Sequence, residues 1–483
     1  MSLSAVVLAS VVAAATSVHL AVSTTDSRAQ SAIDRGLFLY YAYDGDDSAD
    51  SFARAAATDP HLAMAFWGIA LANGPDLNTP ATAERFGGGS IAIQKAVALA
   101  GGLPARERSF IAILAQRYRG TFADWKRDDA AYRQAMRQFA LQSRDENAQL
   151  LAAEALIESG GLTWQQGALA SRDSRDALEL VTNVLRVDPT NPMANHLCIH
   201  LYDLAPDRGA ALSCAQRLDA ASFAPEAEHL AHMPAHYWIE RGNYTAALAS
   251  SARAYTLLVQ LEGRGSGHAR HYAKHDISVG YSAAMMLGNY SVARIWAQRM
   301  AGAFDTSFDA VTALRFGRYA AAYAADDSQF GGASVRGLAA IELGRTREAH
   351  SIGTRVAAGN MKQGYLPQLF LARLAAADGN FVEAERWIES ARSNQSADFA
   401  GEVIPLLPAG EVLAGLDLRR GDYNGAVAAY TGTLASYPSD PRALFGLATA
   451  FAAQGQRAQA AAARTRFELE WKGADTNVND ASP

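Results

Sequence analysis

Gly242-Asn243-Tyr244-Thr245-Ala246-Ala247 is the stretch that decides the fold, because its pattern returns five more times along the chain. The copies begin at Gly288 (G-N-Y-S-V-A), Gly344 (G-R-T-R-E-A), Gly379 (G-N-F-V-E-A), Gly421 (G-D-Y-N-G-A) and Gly455 (G-Q-R-A-Q-A). Their start-to-start spacings are 46, 56, 35, 42 and 34 residues. Each copy separates two apolar stretches of helical period. The glycine ends one helix in a conformation that other residues reach only at a steric cost. An aromatic fills the turn in most copies, and the alanine lets the second helix approach the first. A second boundary signal accompanies the first. Asp59-Pro60 follows Phe52 and Ala55, Asp188-Pro189 follows Ala177, Val181 and Val184, and Ser439-Asp440-Pro441 stands near the C-terminus. Proline there stops one helix or starts the next.

Composition agrees with a helical reading. The 483 residues include 102 alanines, and 49% are hydrophobic against 19% charged. A chain of this length makes two to four domains or one long repeat array. Alanine favours close-packed helices over sheets. A net charge of −6 argues against a nucleic-acid partner, and two cysteines are too few for a disulfide framework. Leu3 to Leu20 is an apolar run followed by Ala21-Val22-Ser23, a small-x-small cleavage pattern, although no Lys or Arg precedes it. Residues 1–23 are thus expected to be a signal peptide or an N-terminal apolar segment. The expected location is periplasmic or extracellular, or cytoplasmic if the segment is no signal. No later stretch approaches the roughly 18 apolar residues of a membrane span, so no stable transmembrane span is expected after processing. Residues 473–483 are small and polar, and are expected to fray. Cys198 and Cys214 either pair across adjacent helices or stay as two buried thiols; spacing does not choose.

The recurring turns and Asp-Pro boundaries resemble the tetratricopeptide-repeat (TPR) family from about residue 34 to residue 470. The resemblance implies an all-α, right-handed α-solenoid of TPR-like helix pairs, whose first helices line a concave groove. Such a groove takes a partner protein, a peptide or a small molecule. The pattern weakens between residues 85 and 130, and Asp326 to Gly332 reads as a linker. The expected division is an N-terminal array over 24–325 and a C-terminal array over 333–472, with a flexible tail over 473–483. A narrower resemblance is carried by Ala63-Met64-Ala65-Phe66-Trp67-Gly68, Gly74-Pro75-Asp76-Leu77-Asn78, Asn195-His196 with His200, and His229 to His236. These resemble a His-rich group of bacterial TPR proteins that has no assigned chemistry. That group leads one to expect a histidine near Tyr43-Asp44, and none is present.

Eight of the 11 histidines fall between positions 196 and 275. His196 and His200 stand one helical turn apart, and His229, His232 and His236 form an i, i+3, i+7 stripe around Pro234. His196 to His232 and His200 to His236 are each 36 residues, and His236 to His275 is 39, about one repeat length each. This phasing predicts that His196, His200, His232 and His236 converge in one site, with His229 and His275 as the next members. Paired imidazoles suit zinc, copper, nickel or iron. Glu228, Asp203 and Asp276 are the candidates for a general base, for groups that orient the imidazoles through hydrogen bonds, or for further ligands. No organic cofactor signature occurs. His-Glu-x-x-His and Gly-x-Ser-x-Gly are absent, and Gly263-Arg264-Gly265-Ser266-Gly267 reads as a loop before His268 and His271. Two functions compete: a metal site, with or without an enzyme's chemistry, and a scaffold that binds a partner protein or peptide.

Overall fold

The structure, a computed structural model, describes residues 18–203, 205–207, 209–263, 267–324, 326–358, 364–398 and 407–481. The expected signal segment lies outside the described residues up to position 17. Its last residues pack on the first helices. Leu20 is fully buried and its N–H donates to Asp34 Oδ1 at 3.0 Å, while Ser23 Oγ donates to Glu107 Oε1 at 2.5 Å.

Helices α1 (Ser27–Tyr41), α2 (Gly45–Thr58), α3 (Ala63–Ala72), α4 (Ala83–Leu99), α5 (Ala105–Leu114), α6 (Trp125–Gln142) and α7 (Glu146–Gly160) come first. A two-residue antiparallel ladder, pairing Trp164 with Leu169 and Gln165 with Ala168, is the one sheet among the described residues. It precedes α8 (Arg172–Val187), α9 (Pro192–Tyr202), α10 (Leu212–Ala220), α11 (Glu228–Glu240), α12 (Tyr244–Glu262) and α13 (Gly267–Met286). There follow α14 (Tyr290–Phe304), α15 (Asp309–Arg315), α16 (Tyr319–Ala324), α17 (Gly332–Glu342), α18 (Thr346–Ala358) and α19 (Tyr365–Ala377). The last are α20 (Phe381–Asp398), α21 (Ala409–Arg420), α22 (Tyr423–Ser436), α23 (Pro441–Ala453), α24 (Arg457–Glu470) and α25 (Val478–Ala481). The chain is all-α, a solenoid of TPR-like helix pairs. Consecutive helices pack on each other, and alternate helices, such as α7 on α9 or α17 on α19 on α21 on α23, pack as well. That is how stacked pairs bury a continuous core.

The stacking explains which residues are buried. An inner helix touches neighbours on all sides, so α9 is buried from Pro192 to Leu201. An outer helix buries one stripe, as α8 does through Ala177, Leu180, Val181 and Val184. Five of the six repeat glycines have φ between 70° and 80°, the left-handed turn that the pattern requires. At Gly242 the requirement is doubled, since a Cβ there would lie 1.8 Å from the carbonyl oxygen of Pro438. Gly288 is the exception. It is kept small by close approach, because a Cβ would lie 2.6 Å from Ala474 Cβ and 2.7 Å from the Trp471 ring. Asp59 and Asp188 close α2 and α8, whereas Asp440 caps α23 and accepts from Arg442 N at 3.0 Å.

Contacts divide the chain into unit 1, residues 1–234 with 257–269, and unit 2, residues 235–256 with 270–483. The segment read as a linker, 326–332, falls inside unit 2, where the Phe330 ring stacks on Phe308 at 4.7 Å. Unit 2 closes on itself. Tyr244 Oη donates to Pro438 O at 2.8 Å, and Arg442 Nη1 donates to Met285 O at 3.1 Å. The terminal segment takes part: Asp475 accepts from Tyr290 N at 2.6 Å and Ser291 Oγ at 2.7 Å, and Val478 packs on Leu444 and Phe467. Residues 473–481 are thus docked rather than frayed, since a carboxylate on the first N–H groups of α14 satisfies donors that the helix leaves open. In unit 1, Cys198 on α9 and Cys214 on α10 form a disulfide.

Candidate metal centre

The site in unit 1 is built by α9, the first turn of α11 and the end of α1. Asn191 caps α9, its side chain accepting from Ala194 N at 3.0 Å, and Pro192 supplies the fixed φ of the first turn. Asn195 Nδ2 donates to Pro189 O at 2.9 Å and Asn191 O at 2.8 Å, which locks the start of the helix. With its start held, α9 aims His196 and His200 the same way, one turn apart.

Their Nε2 atoms lie 3.1 Å from each other, and the His196 and His229 ring centroids are 5.0 Å apart. His196, His200 and His229 each offer one ligand atom, and these atoms all lie within 4.8 Å of one another. All three side chains are buried. His196 Nδ1 lies 3.3 Å from the carbonyl oxygen of Tyr41. A carbonyl only accepts, so Nδ1 carries the proton and Nε2 keeps its lone pair toward His200. Burial pulls the His196 pKa down from 6.5 to about 3, and the bond to Tyr41 only partly opposes this. The ring is therefore neutral throughout the physiological range, which is the state a metal ligand needs.

Tyr41 is held in turn. Its Oη donates to Asn147 Oδ1 at 2.7 Å, and the neighbouring Tyr40 Oη donates to Glu154 Oε2 at 2.6 Å. Two residues on, Tyr43 enters the site. Its backbone is left-handed, with φ of 59°, and its ring is 2% exposed. The ring centroid lies 4.4 Å from His196, 5.5 Å from His229 and 6.5 Å from His200. An aromatic residue in this region is a costly outlier that persists only where its surroundings over-determine it. Sequence reasoning assigned Tyr43 no role.

His232 is fully buried, with its ring 6.0 Å from His229, and precedes His236 by one turn on α11. Pro234 lies within that helix. In unit 2, His236 and the half-buried His275 stack at 5.1 Å, their Nε2 atoms 3.1 Å apart. The set around His196 and His200 is thus closed by His229 rather than His232. The phasing expected a neighbour 36 residues on, whereas the imidazole that joins His196 and His200 is His229, 33 residues from His196. Glu228 is fully buried beside His229, Asp276 is buried beside His275, and Asp203 is half-buried just past α9. Residues 264–266 of the glycine loop, and the side chains of His268 and His271, lie outside the described residues.

Among the described residues no helix is long and apolar enough to cross a membrane. No family model matches the chain, and no curated protein matches it in sequence. Solved structures similar to it include the Cut9–Hcn1 hetero-tetramer of APC/C, at 14% identity over 82% of this chain and 93% of that one, with a TM-score of 0.29. The human IFIT1 dimer with PPP-AAAA is similar at 11% identity over 88% of this chain and 86% of that one, with a TM-score of 0.33. The same dimer with m7Gppp-AAAA gives 12% identity, 89% and 86% coverage, and a TM-score of 0.33.

Proposed function

We propose that this is a helical-repeat protein that holds a transition-metal ion between His196, His200 and His229. The observation that carries the reading is the triad itself: three buried imidazoles with ligand atoms within 4.8 Å of one another. A structural role for buried histidines needs no such convergence. An all-imidazole set suits zinc, copper, nickel or iron and disfavours calcium and magnesium, which take oxygen. The Tyr41 carbonyl on His196 Nδ1 is the outer-sphere support that ligating histidines ordinarily have. Glu228, adjacent to His229, and Asp203, three residues past His200, are the candidates for a general base if the bound ion does chemistry. The sequence resemblance to a His-rich group of bacterial TPR proteins runs through the same residues. The repeat scaffold also supports partner binding, the common use of stacked helix pairs. We place the protein outside the reducing cytoplasm, on the apolar Leu3 to Leu20 run and the Cys198–Cys214 disulfide.

Metal content of the purified, extensively dialysed protein tests the reading. We expect uptake of zinc or copper near pH 7.5, a raised thermal midpoint at saturating metal, and loss of both in a His196→Ala/His229→Ala variant. A ligand at about 100 times its Kd stabilises the native state by roughly 2.7 kcal/mol, a readily measured shift. Protein that takes up no ion, with a midpoint unmoved by zinc, copper, nickel or iron, would overturn it.

A further inference from the structure

Unit 2 contains a cavity of about 760 Å³, far from any histidine discussed above in sequence, whose walls include Arg318, Tyr319, Glu342, Arg419, Phe445 and Asp475. Its size lies within the range of small-molecule sites. The charges around it are not equally committed. Glu342 is paired with Arg373 on α19. Asp475 accepts from the N–H groups of Tyr290 and Ser291, from Ser291 Oγ and from Thr476 Oγ1. The helix C-termini that end nearby have also used their carbonyls. Gly317 N and Arg318 N take Leu314 O and Ala313 O at the end of α15, and Gly344 N and Arg345 N take Ile341 O and Ala340 O after α17. Gly421 N and Asp422 N take Leu418 O and Asp417 O after α21. Two carbonyls at each of these three helix ends are thus already taken.

The two guanidinium groups are what remains. Among the described residues neither Arg318 nor Arg419 has a hydrogen-bonded or ion-paired partner for its guanidinium; Arg318 lies over the Tyr290 ring at 5.1 Å, and Arg419 has the like-charged Arg373 and, against it, Glu342 as electrostatic neighbours, beyond ion-pair distance. Tyr319 and Phe445, both half-buried, line the same cavity, and Arg464 lies over the Phe445 ring at 5.3 Å. A guanidinium presents a planar fork of N–H donors that matches a carboxylate. We propose that this cavity binds a small organic acid, its carboxylate held by Arg419 and Arg318 and its flat apolar body lying against Tyr319 and Phe445. The site is separate from the metal reading and stands or falls without it.

The test is calorimetric titration of the full chain with 3-phenylpropionate, with its neutral amide and with inorganic phosphate. We expect the carboxylate to bind at least tenfold more tightly than the amide or phosphate. Arg419→Gln should weaken it at least tenfold and Arg318→Gln several-fold. Both arginines are exposed, so circular dichroism should be unchanged in either variant. Arg392→Gln, outside the cavity, should bind as the parent does. The proposal is overturned if the carboxylate shows no saturable binding up to millimolar concentration, if the amide or phosphate binds as tightly, or if Arg419→Gln binds like the parent.

Discussion

At His196 one backbone carbonyl and complete burial fix the tautomer and the charge of the ring. The consequence for stability follows from where its proton goes. In the unfolded chain this residue titrates near 6.5, and in the native protein near 3, because burial disfavours the charged ring. Below 6.5 the unfolded state therefore binds a proton that the native state refuses, so stability falls with pH by about 1.4 kcal/mol per unit until about 3. Another group in unit 1 works in the opposite direction. Burial raises Glu158 from 4.5 to about 7, so the native state binds the extra proton there and gains stability as pH falls through that window. The two effects overlap between about pH 4.5 and 6.5, and a single pH profile would hide both. The measurement is the urea-unfolding free energy of metal-free protein against a His196→Gln variant. Between pH 7 and pH 5 we expect the parent to lose about 2 kcal/mol relative to the variant. Equal losses would show that His196 protonates freely in the native state. The His196–His200 pairing was legible at this scale, because a four-residue spacing on a helix has one geometric meaning. Tyr43 was not: its role depends on a left-handed φ, and a Tyr-Asp dipeptide gives no signal for that, where a glycine would have.

Between helices, the best-defined device is the buried charge cluster where α15, α21 and α23 meet. Arg315 makes a two-pronged ion pair with Glu411, at 2.5 and 2.7 Å, and Arg442 donates to main-chain carbonyls of α13. Glu411 is held below the ordinary carboxyl range: burial opposes this, but Arg315 and its hydrogen bonds win. Asp440 goes the other way, since burial and the adjacent Glu411 push it well up. The cluster thus holds one carboxylate and one neutral carboxyl. An experiment can separate the two. Glu411→Gln leaves the Arg315 charge buried without its counterion and should cost about 3–5 kcal/mol. Asp440→Asn replaces a neutral acid by a neutral amide of the same shape that still caps α23, and should cost under about 1 kcal/mol. Thermal or urea unfolding of both variants checks this, and equal costs would reverse the charge assignment. None of this was legible in the sequence, because Arg315, Glu411 and Arg442 lie on three different helices and follow no repeat spacing. What was legible is each helix pair itself: the alanine that ends the six-residue motif is buried in five copies and half-buried in the last.

For the whole chain, the repeat pattern gave the architecture but not its partition. Gly-x-x-x-x-Ala turns report where one helix folds back on the next, which is local. The division into units depends on which distant helices meet, as when Pro438 accepts from Tyr244. Residues 326–332 resemble a linker in composition yet are packed, because Phe330 finds Phe308. The same limit left the cysteines undecided: sixteen residues apart, they bond because α9 and α10 bring their Cα atoms to 6.4 Å. That bond has a consequence for the proposed metal site that separates local from general effects. Cys198 sits on α9 between His196 and His200, so the disulfide ties the helix carrying two of the proposed ligands to its neighbour α10. A loop of this length is worth roughly 3 kcal/mol in lost unfolded-state entropy. A Cys198→Ala/Cys214→Ala variant should lose about that much in unit 1 and should hold metal more weakly, since its ligands sit on a less constrained helix. Hydrogen exchange resolves where the loss falls. Amides of α9 and α10 should exchange faster in the variant, while those of α21, held by the Arg315–Glu411 contact in unit 2, should not change. Faster exchange throughout the chain would mean that the disulfide supports the whole molecule, and unchanged exchange in α9 would mean that the helix is set by its inner-helix packing alone.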